Sequence, residues 1–397
     1  MTAARPAEPA FGLTHVRVRG FRSARDVALA LRAVCALVGE ASSGKSNLLA
    51  ALRLLLDPDA PPPGPEDAWR GDGDVRIEGR LADGREVAYA QGEGTDEGEL
   101  PAVLFLPAGL RSENVVAASF DRPEVAAAAD AHFAAALAER DGSTATPALA
   151  FLAGLERCCA ERLSGLVLLV EEPELFLRPQ AQRYLHRLLR AFAADGNQVV
   201  YSTHSPAFLS VGHLEELVLV GHDRETGTRV VQPKPLVEDE AFRIVSEFDA
   251  ERSELFLAHA ALLVEGRTEK LVFPLVFQAL GYDADREAIS IVECGGKSNI
   301  PLFARICDAV GVPFVAVHDR DAEPGEEPIH AERLLNALIA ETVGPSRIVV
   351  LEPDFEGATG VVGHKPERAW RRFAAGGAEV VPEPLARATR LVLELAR

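Results

Sequence analysis

The chain has 397 residues, which at ~150 per domain suggests roughly two or three domains. Hydrophobic residues make up 48% and charged residues 25%, a balance that excludes a wholly disordered chain, a collagen-like fibre and a disulfide-framed miniprotein. Basic residues number 41 and acidic residues 60, so the formal charge of −19 argues against broad coating of nucleic acid or anionic membrane, while leaving room for a local basic channel.

From the N-terminal end, THVRVRGF alternates apolar and polar residues and reads as a strand. VALAL follows as a second strand, and Ala33–Val38 is a short apolar strand ending at glycine. Helical spacing covers Ser46–Leu56 and stops at Asp57-Pro58, where the proline-rich stretch Asp57–Asp67 is a loop. DVRIEG and GREVAYA form a hairpin around Ala82-Asp83-Gly84, and Gln91–Glu99 is an acidic, glycine-rich loop. Helices are predicted over Glu124–Arg140 and Pro147–Arg162. Next come the buried-strand pattern GLVLLVEE, a helix over Gln180–Ala193, and strands at Gln198–Ser202 and Glu216–Val220. Pro233–Pro235 and the acidic Val237–Glu240 mark a junction. Beyond it ALLVEG, ISIVECG, PFVAVHD and RIVVLEP are strands separated by helix-length segments. This alternation predicts two α/β units in tandem, with parallel sheets covered on both faces. The expected division is a first domain over 1–235, a connector over 236–255 and a second domain over 256–397 with a helical extension.

Five cysteines without a CxxC pair support neither a disulfide framework nor a zinc ribbon, and they fit a reducing cytosol. The opening residues lack a basic segment followed by an apolar one, and no run approaches the ~18 apolar residues of a membrane span. A cytoplasmic chain without a membrane partner is expected.

Gly39-Glu40-Ala41-Ser42-Ser43-Gly44-Lys45-Ser46 matches GxxxxGKS, between a predicted strand and a predicted helix. Glycines let backbone N–H groups converge on phosphate oxygens, and the helix N-terminus adds partial positive charge. In this pattern Lys45 reaches the β/γ phosphates of ATP and the Ser46 hydroxyl holds Mg²⁺. Gly39, Ser42, Ser43, Gly44 and Asn47 complete the candidate nucleotide contacts. Leu166–Val170 then delivers Glu171-Glu172-Pro173 to a strand end, which suits a metal-side acid and a water-activating acid. The same two acids also suit solvated first-turn positions. VVYSTHSP repeats the strand-then-polar pattern and places His204 to sense a γ-phosphate.

Together GFRS, GEASSGKSN, LVLLVEEPELFLRP and STHSP resemble the ATPase domain of ABC-type DNA-maintenance proteins, the SMC/RecF group. The Glu-Glu-Pro-Glu form resembles most the OLD (overcoming lysogenisation defect) family of nucleases. That resemblance implies Glu171 as the Mg²⁺-side acid, Glu172 as hydrolytic base and His204 as switch histidine. The expected signature motif is poor: its best candidate, Asp141–Leu149, lacks the second glycine and the glutamine, so ATP binding is expected and fast hydrolysis is not.

In the second half, Glu265 stands at the tip of a buried strand in LLVEGRTE. Phe314–His318 is another strand, ending in Asp319-Arg320-Asp321, where alternate residues of an extended segment face one side and share a cation. Hard divalent metals want oxygen ligands, and Mg²⁺ takes one or two carboxylates and keeps waters. Glu265 with the Asp319/Asp321 DxD resembles a Toprim domain. OLD-type Toprim domains imply three further positions: Glu269, one turn on from Glu265, Glu356 in LEPDFEG, and Lys365 in GHKPERAW. Five carboxylates around one cleft repel unless cations neutralise them, which favours two metals, Mg²⁺ or Mn²⁺, clamping a phosphodiester. On this reading Lys365 steadies the charge developing at the phosphate. Lys297 reads either as a phosphate contact or as a surface lysine. Arg368, Arg371 and Arg372 around Trp370, and Arg183, Arg187 and Arg190 at helical spacing, read either as DNA-facing stripes or as solvated helix faces.

ATPase motifs followed by Toprim motifs are the order of OLD-type proteins. The resemblance therefore implies a nucleotide-regulated, divalent-metal-dependent DNA endonuclease of phage defence or DNA maintenance. It further implies a homodimer or higher homo-oligomer, with room for a partner protein. The alternative is an ATP-gated DNA- or protein-binding switch that does not cut. A topoisomerase needs a tyrosine nucleophile in a DNA-gripping domain, and the four tyrosines have no such setting; a primase of this type needs a zinc module that the cysteines cannot supply.

Overall fold

A computed structural model describes residues 11–71, 74–95, 100–108, 116–118, 127–129, 131–132, 135, 147–209, 211–233, 252–322, 325–361 and 366–397. It divides into two compact units, Met1–Pro233 and Lys234–Arg397. Most of the helix expected over 124–140, the signature candidate's Asp141–Thr146, most of the connector, and Lys365 lie outside the described residues.

The first unit is built on one sheet of twelve strands. Its centre is parallel. β3 (Val34–Val38) pairs with β10 (Gln198–Thr203) and with β11 (Leu217–Asp223). β10 pairs in turn with β9 (Leu166–Glu171), and β9 with β7 (Ala102–Leu106). All five residues of β3 and all six of β10 are buried, the unbroken apolar pattern of strands covered on both faces.

The flank is antiparallel, and it includes the hairpin expected of DVRIEG and GREVAYA. β1 (Leu13–Phe21) pairs with β2 (Ala24–Ala30) in the register Val16↔Leu29 and Val18↔Val27. On its other side β1 pairs with β4 (Arg76–Leu81), whose hairpin partner is β5 (Glu86–Ala90). The physical reason is visible in the alternation of THVRVRGF: Val16 and Val18 are buried while Arg17 is exposed, so one face is left to water. β12 (Gly227–Val231) joins flank to centre between β2 and β11. The first helix, α1 (Lys45–Leu56), buries Leu48, Leu49, Leu52 and Leu55 against this sheet. α2 (Pro147–Ala160) packs against α3 (Pro179–Ala194), which buries Leu185, Leu189 and Phe192 at helical spacing.

The second unit holds an all-parallel sheet of four strands, β13 (Ala260–Val264), β14 (Ile289–Glu293), β15 (Phe314–Asp319) and β16 (Ile348–Leu351), in the order β14-β13-β15-β16. Leu262, Val264, Val315 and Val317 meet α4 (Arg267–Ala279), α8 (Pro366–Ala375) and α9 (Glu383–Ala396) in one core. α5 (Ile300–Val310) packs on β13 and β15, and α6 (His330–Val343) packs on α5. The short α7 (Phe355–Thr359) follows β16. Because the strands run the same way, the turns after β13, β14 and β15 emerge at one sheet edge, where ligands of open α/β sheets bind. No helix among the described residues is long and apolar enough to cross a membrane.

Candidate functional site

At the first site, the turn between β3 and α1 is pressed against its neighbours. A Cβ added to Gly39 would lie 2.0 Å from the Val220 carbonyl oxygen. One added to Gly44, whose φ is +109°, would lie 2.2 Å from Thr228 Oγ1. Lys45 is 5% exposed, and its ammonium donates to the Gly39 oxygen at 2.9 Å and the Glu40 oxygen at 2.6 Å. Burial lowers its pKa, against the pull of Glu172, Glu174 and Glu40. Ser42 adopts a positive φ of 62°, and the buried Ser43 hydroxyl has no hydrogen-bond partner. Asn47 is turned inward: its amide donates to Ser23 Oγ at 2.6 Å, and Thr228 Oγ1 donates to the same hydroxyl at 2.7 Å. Ser23 and Thr228, which sequence reasoning missed, thus brace the loop from behind.

Ser46 and Glu171 line one cavity of about 250 Å³, with Arg22, Arg53 and Phe105 among its walls. A Glu171 carboxylate oxygen accepts from the Ala108 amide at 3.2 Å. Glu172 turns out of the strand with φ +44°, and its amide donates to the Ser202 oxygen at 3.1 Å. One of its carboxylate oxygens lies 3.3 Å from His204 Nε2. Glu174, also missed, is 7% exposed and accepts from Thr203 Oγ1 at 2.7 Å and from the His204 amide at 2.8 Å. Burial pushes its pKa up.

The second site lies at the strand-end edge of the four-stranded sheet. The Asp319 amide donates to Glu265 Oε2 at 3.3 Å, joining two strand ends 54 residues apart. Burial, followed by the nearby Glu265, Glu269, Asp321 and Asp354, pushes the Asp319 carboxyl up to about 8. Burial also raises Glu265, to about 7, with Asp321 and Glu269 adding to the rise. Glu269, in the first turn of α4, is 7% exposed; burial raises its pKa, and Glu356 and Glu293 add to the effect. Glu356 sits in the first turn of α7, which the Asp354 carboxylate caps by accepting from the Gly357 amide. One field therefore links the sequence-predicted acids Glu265, Glu269, Asp319, Asp321 and Glu356.

Asp321 lies in the same field but is paired differently. Its φ of +58° breaks the extended geometry on which face-sharing depends, and its amide donates to the Pro353 oxygen at 2.9 Å. Its carboxylate meets the Lys297 ammonium at 2.5 Å, and Glu332 Oε2 lies 2.9 Å from the same ammonium. Lys297 is therefore a buried, doubly paired side chain rather than a surface lysine.

The donor set suits a hard divalent ion. Asp319 Oδ1 is buried without a hydrogen-bond partner, and burial, with neighbouring carboxylates adding, raises the pKa values of Asp319, Glu265 and Glu269. No group of three or more His, Cys, Asp or Glu side chains among the described residues is gathered as a ready metal cage. A Mg²⁺ ion needs only one or two carboxylates.

Of the two arginine stripes, Arg190 is used internally, donating to both oxygens of Glu216. Arg187 stacks over Tyr184, and Arg371 pairs with Glu367 at 2.6 Å.

A glycine-rich turn backed by an acidic strand end, then acids gathered at the edge of a parallel four-stranded sheet, are the features of a P-loop ATPase unit followed by a Toprim unit. Comparison with known proteins agrees. Residues 256–321 match the family described as "Overcoming lysogenization defect protein-like, TOPRIM domain". Residues 130–210 match "AAA domain, putative AbiEii toxin, Type IV TA system", and residues 11–62 match a family of unknown function. The OLD nuclease of Thermus scotoductus is 38% identical over 224 residues, 51% of this chain and 42% of that protein. The Old nuclease of Escherichia phage P2 is 28% identical over 166 residues, 40% of this chain and 28% of that one. The chain thus spans less than half the length of either relative.

Among solved structures, the C-terminal region of the Burkholderia pseudomallei OLD protein is similar at 15% identity and a TM-score of 0.29, covering 35% of this chain and 99% of that one. The SMC head domain from Thermotoga maritima is similar at 16% identity and a TM-score of 0.33, covering 56% and 99%. The chain is thus similar to OLD nucleases over about half its length, with an AAA-domain match followed by an OLD-like Toprim match.

Proposed function

We propose that this protein is a nucleotide-regulated, divalent-metal-dependent DNA endonuclease. The observation that carries the reading is the meeting of Glu265 and Asp319 at one strand-end edge, with a buried Asp319 oxygen left unpartnered. Two relatives named OLD and Old nuclease support it. Glu265, Asp319 and Glu269 would hold Mg²⁺ or Mn²⁺, with Glu356 flanking them. Such an ion polarises a phosphoryl oxygen and activates water at neutral pH. The chain's own part is to keep these acids buried and close together, so that their negative charge is met by a cation and a phosphodiester instead of being solvated. Lys365, outside the described residues, is the proposed cation for the scissile phosphate.

In the other unit, ATP is proposed to lie on the 39–46 turn. Lys45 would leave the Gly39 and Glu40 oxygens for phosphate, Ser46 and Glu171 would share an ion, and Glu172 would orient water under His204. A homo-oligomer with DNA as substrate, and a role in phage defence or DNA maintenance, belong to the same proposal.

Plasmid digestion with Mg²⁺ or Mn²⁺, with and without ATP, tests it in wild type, Lys45→Ala and Asp319→Ala. Cleavage should need the metal, vanish in Asp319→Ala, and change its nucleotide response in Lys45→Ala. Metal-independent cutting, or full activity in Asp319→Ala, would overturn the reading; metal-dependent binding of DNA without cutting would favour the switch instead.

A further inference from the structure

The Toprim acids are not neutralised evenly. Glu265 and Asp319 face one another through a single amide, and Asp319 Oδ1 has no partner. Two residues on, Asp321 has an ammonium in direct contact. Lys297 supplies it from the turn after β14, where Gly295 and Gly296 take φ values of 73° and 124°. The Gly296 amide donates to the Glu265 oxygen at 2.9 Å, which fixes that turn beside the metal-side acid. Lys297 is 6% exposed, a depth at which an unpaired ammonium is strongly disfavoured. Its second partner, Glu332, comes from α6, 35 residues away, so the fold supplies two carboxylates for one ammonium.

We infer that Lys297 is the built-in counter-cation of Asp321, so that the site takes up one divalent ion at Glu265 and Asp319 rather than two. This rests on the reading of the acids as a metal site and deepens it. The electrostatic demand is already met at Asp321, where an ammonium in contact with two carboxylates repels any further cation brought to them. At Asp319 the demand is unmet. Lys297 is a positioning residue: it touches Asp321, not the substrate.

Counting bound Mn²⁺ on the full-length, nucleotide-free protein, from the electron paramagnetic resonance signal of the free ion, tests the inference without an activity assay. Wild type should bind one ion per chain, as should Lys297→Arg. Lys297→Met frees Asp321 and Glu332 and should raise the count to two. Asp321→Asn should still bind one ion with affinity within about threefold of wild type; it decides the matter if Lys297→Met does not fold by circular dichroism. Two ions on wild type, no gain in a folded Lys297→Met, or loss of the ion in Asp321→Asn would overturn the inference while leaving the metal site standing. No Mn²⁺ on wild type or on any variant would overturn the metal-site reading as well.

Discussion

Glu174 and His204 are joined through the backbone: the His204 amide donates to Glu174 Oε1 at 2.8 Å, and Thr203 Oγ1 donates to the same oxygen at 2.7 Å. The Glu174 side chain is buried, and the His204 imidazole is 3.3 Å from Glu172. One buried acid thus sets the backbone that presents the histidine to the proposed catalytic glutamate.

Truncating that acid should be felt in stability first. Glu174→Ala leaves a buried hydroxyl and a backbone N–H without their acceptor, a loss of about 1–3 kcal/mol for each group left unmet. Glu174→Gln keeps an acceptor oxygen in place. Because burial already disfavours the charged form of Glu174, the amide should be tolerated to within about 1 kcal/mol. Urea denaturation measures both; equal losses in the two variants would show that the hydrogen bonds are not what holds this corner.

The acids of the Toprim edge predict a pH dependence. Asp319 rises from 3.8 to about 8 on folding and Glu265 from 4.5 to about 7, so the folded state binds protons that the unfolded state has released. Their stabilising contribution is fully present below about pH 4 and is lost as pH climbs through 7 to 8. Without added metal, the melting temperature of wild type should therefore fall between about pH 5 and about pH 8. Asp319→Asn should flatten that fall and be the more stable protein at the upper end. Mg²⁺ should stabilise wild type most at the upper end, where the acids are ionised, and should do little for Asp319→Asn. A wild-type melting temperature that rises over this range as steeply as that of the variant would contradict the assignment.

The sequence was most legible where chemistry is local. The 39–46 turn, the acids ending β9 and the Glu265 and Asp319 strand ends were all readable because an apolar run followed by glycine or acid encodes its own geometry. The flanking sheet was readable only as strands. That β12 enters between β2 and β11 depends on pairing between segments about two hundred residues apart, which no local alternation specifies. The same limit hid Lys297. Its glycine-flanked setting is that of a surface turn, and only the fold brings Glu332 from another helix to hold it. The DxD spacing reads as two acids on extended backbone, and no local pattern announces the left-handed φ that Asp321 takes.

Gly44 supplies a prediction about the proposed nucleotide turn. A Cβ there meets both strain, at φ +109°, and contact, 2.2 Å from Thr228 Oγ1 and 2.9 Å from Ser23 Oγ. Gly44→Ala should therefore shift the loop and lower affinity for ATP at least tenfold, read with a fluorescent nucleotide. The backbone strain alone is of order 1–3 kcal/mol, so urea stability should fall with it. Adding Thr228→Ala removes the closer contact but neither the Ser23 approach nor the strain, and should restore only part of each loss. Full recovery in the double variant would assign the whole effect to the threonine.

Arg190 gives the sharpest separation between two roles. As part of a DNA-facing stripe, its loss would weaken DNA binding and leave the fold alone. In the structure it donates to both oxygens of Glu216, which is 4% exposed, so its removal strands a buried carboxylate. Breaking one partner of such a pair typically destabilises by about 3–5 kcal/mol, whereas replacing both by apolar side chains is often near neutral. Arg190→Ala should therefore lower the urea midpoint sharply, and Arg190→Met with Glu216→Leu should recover most of it. Arg183→Ala, on the same helix and exposed, should change stability by less than about 0.5 kcal/mol. A stable Arg190→Ala protein with weakened, salt-dependent DNA binding would return this arginine to the nucleic-acid surface.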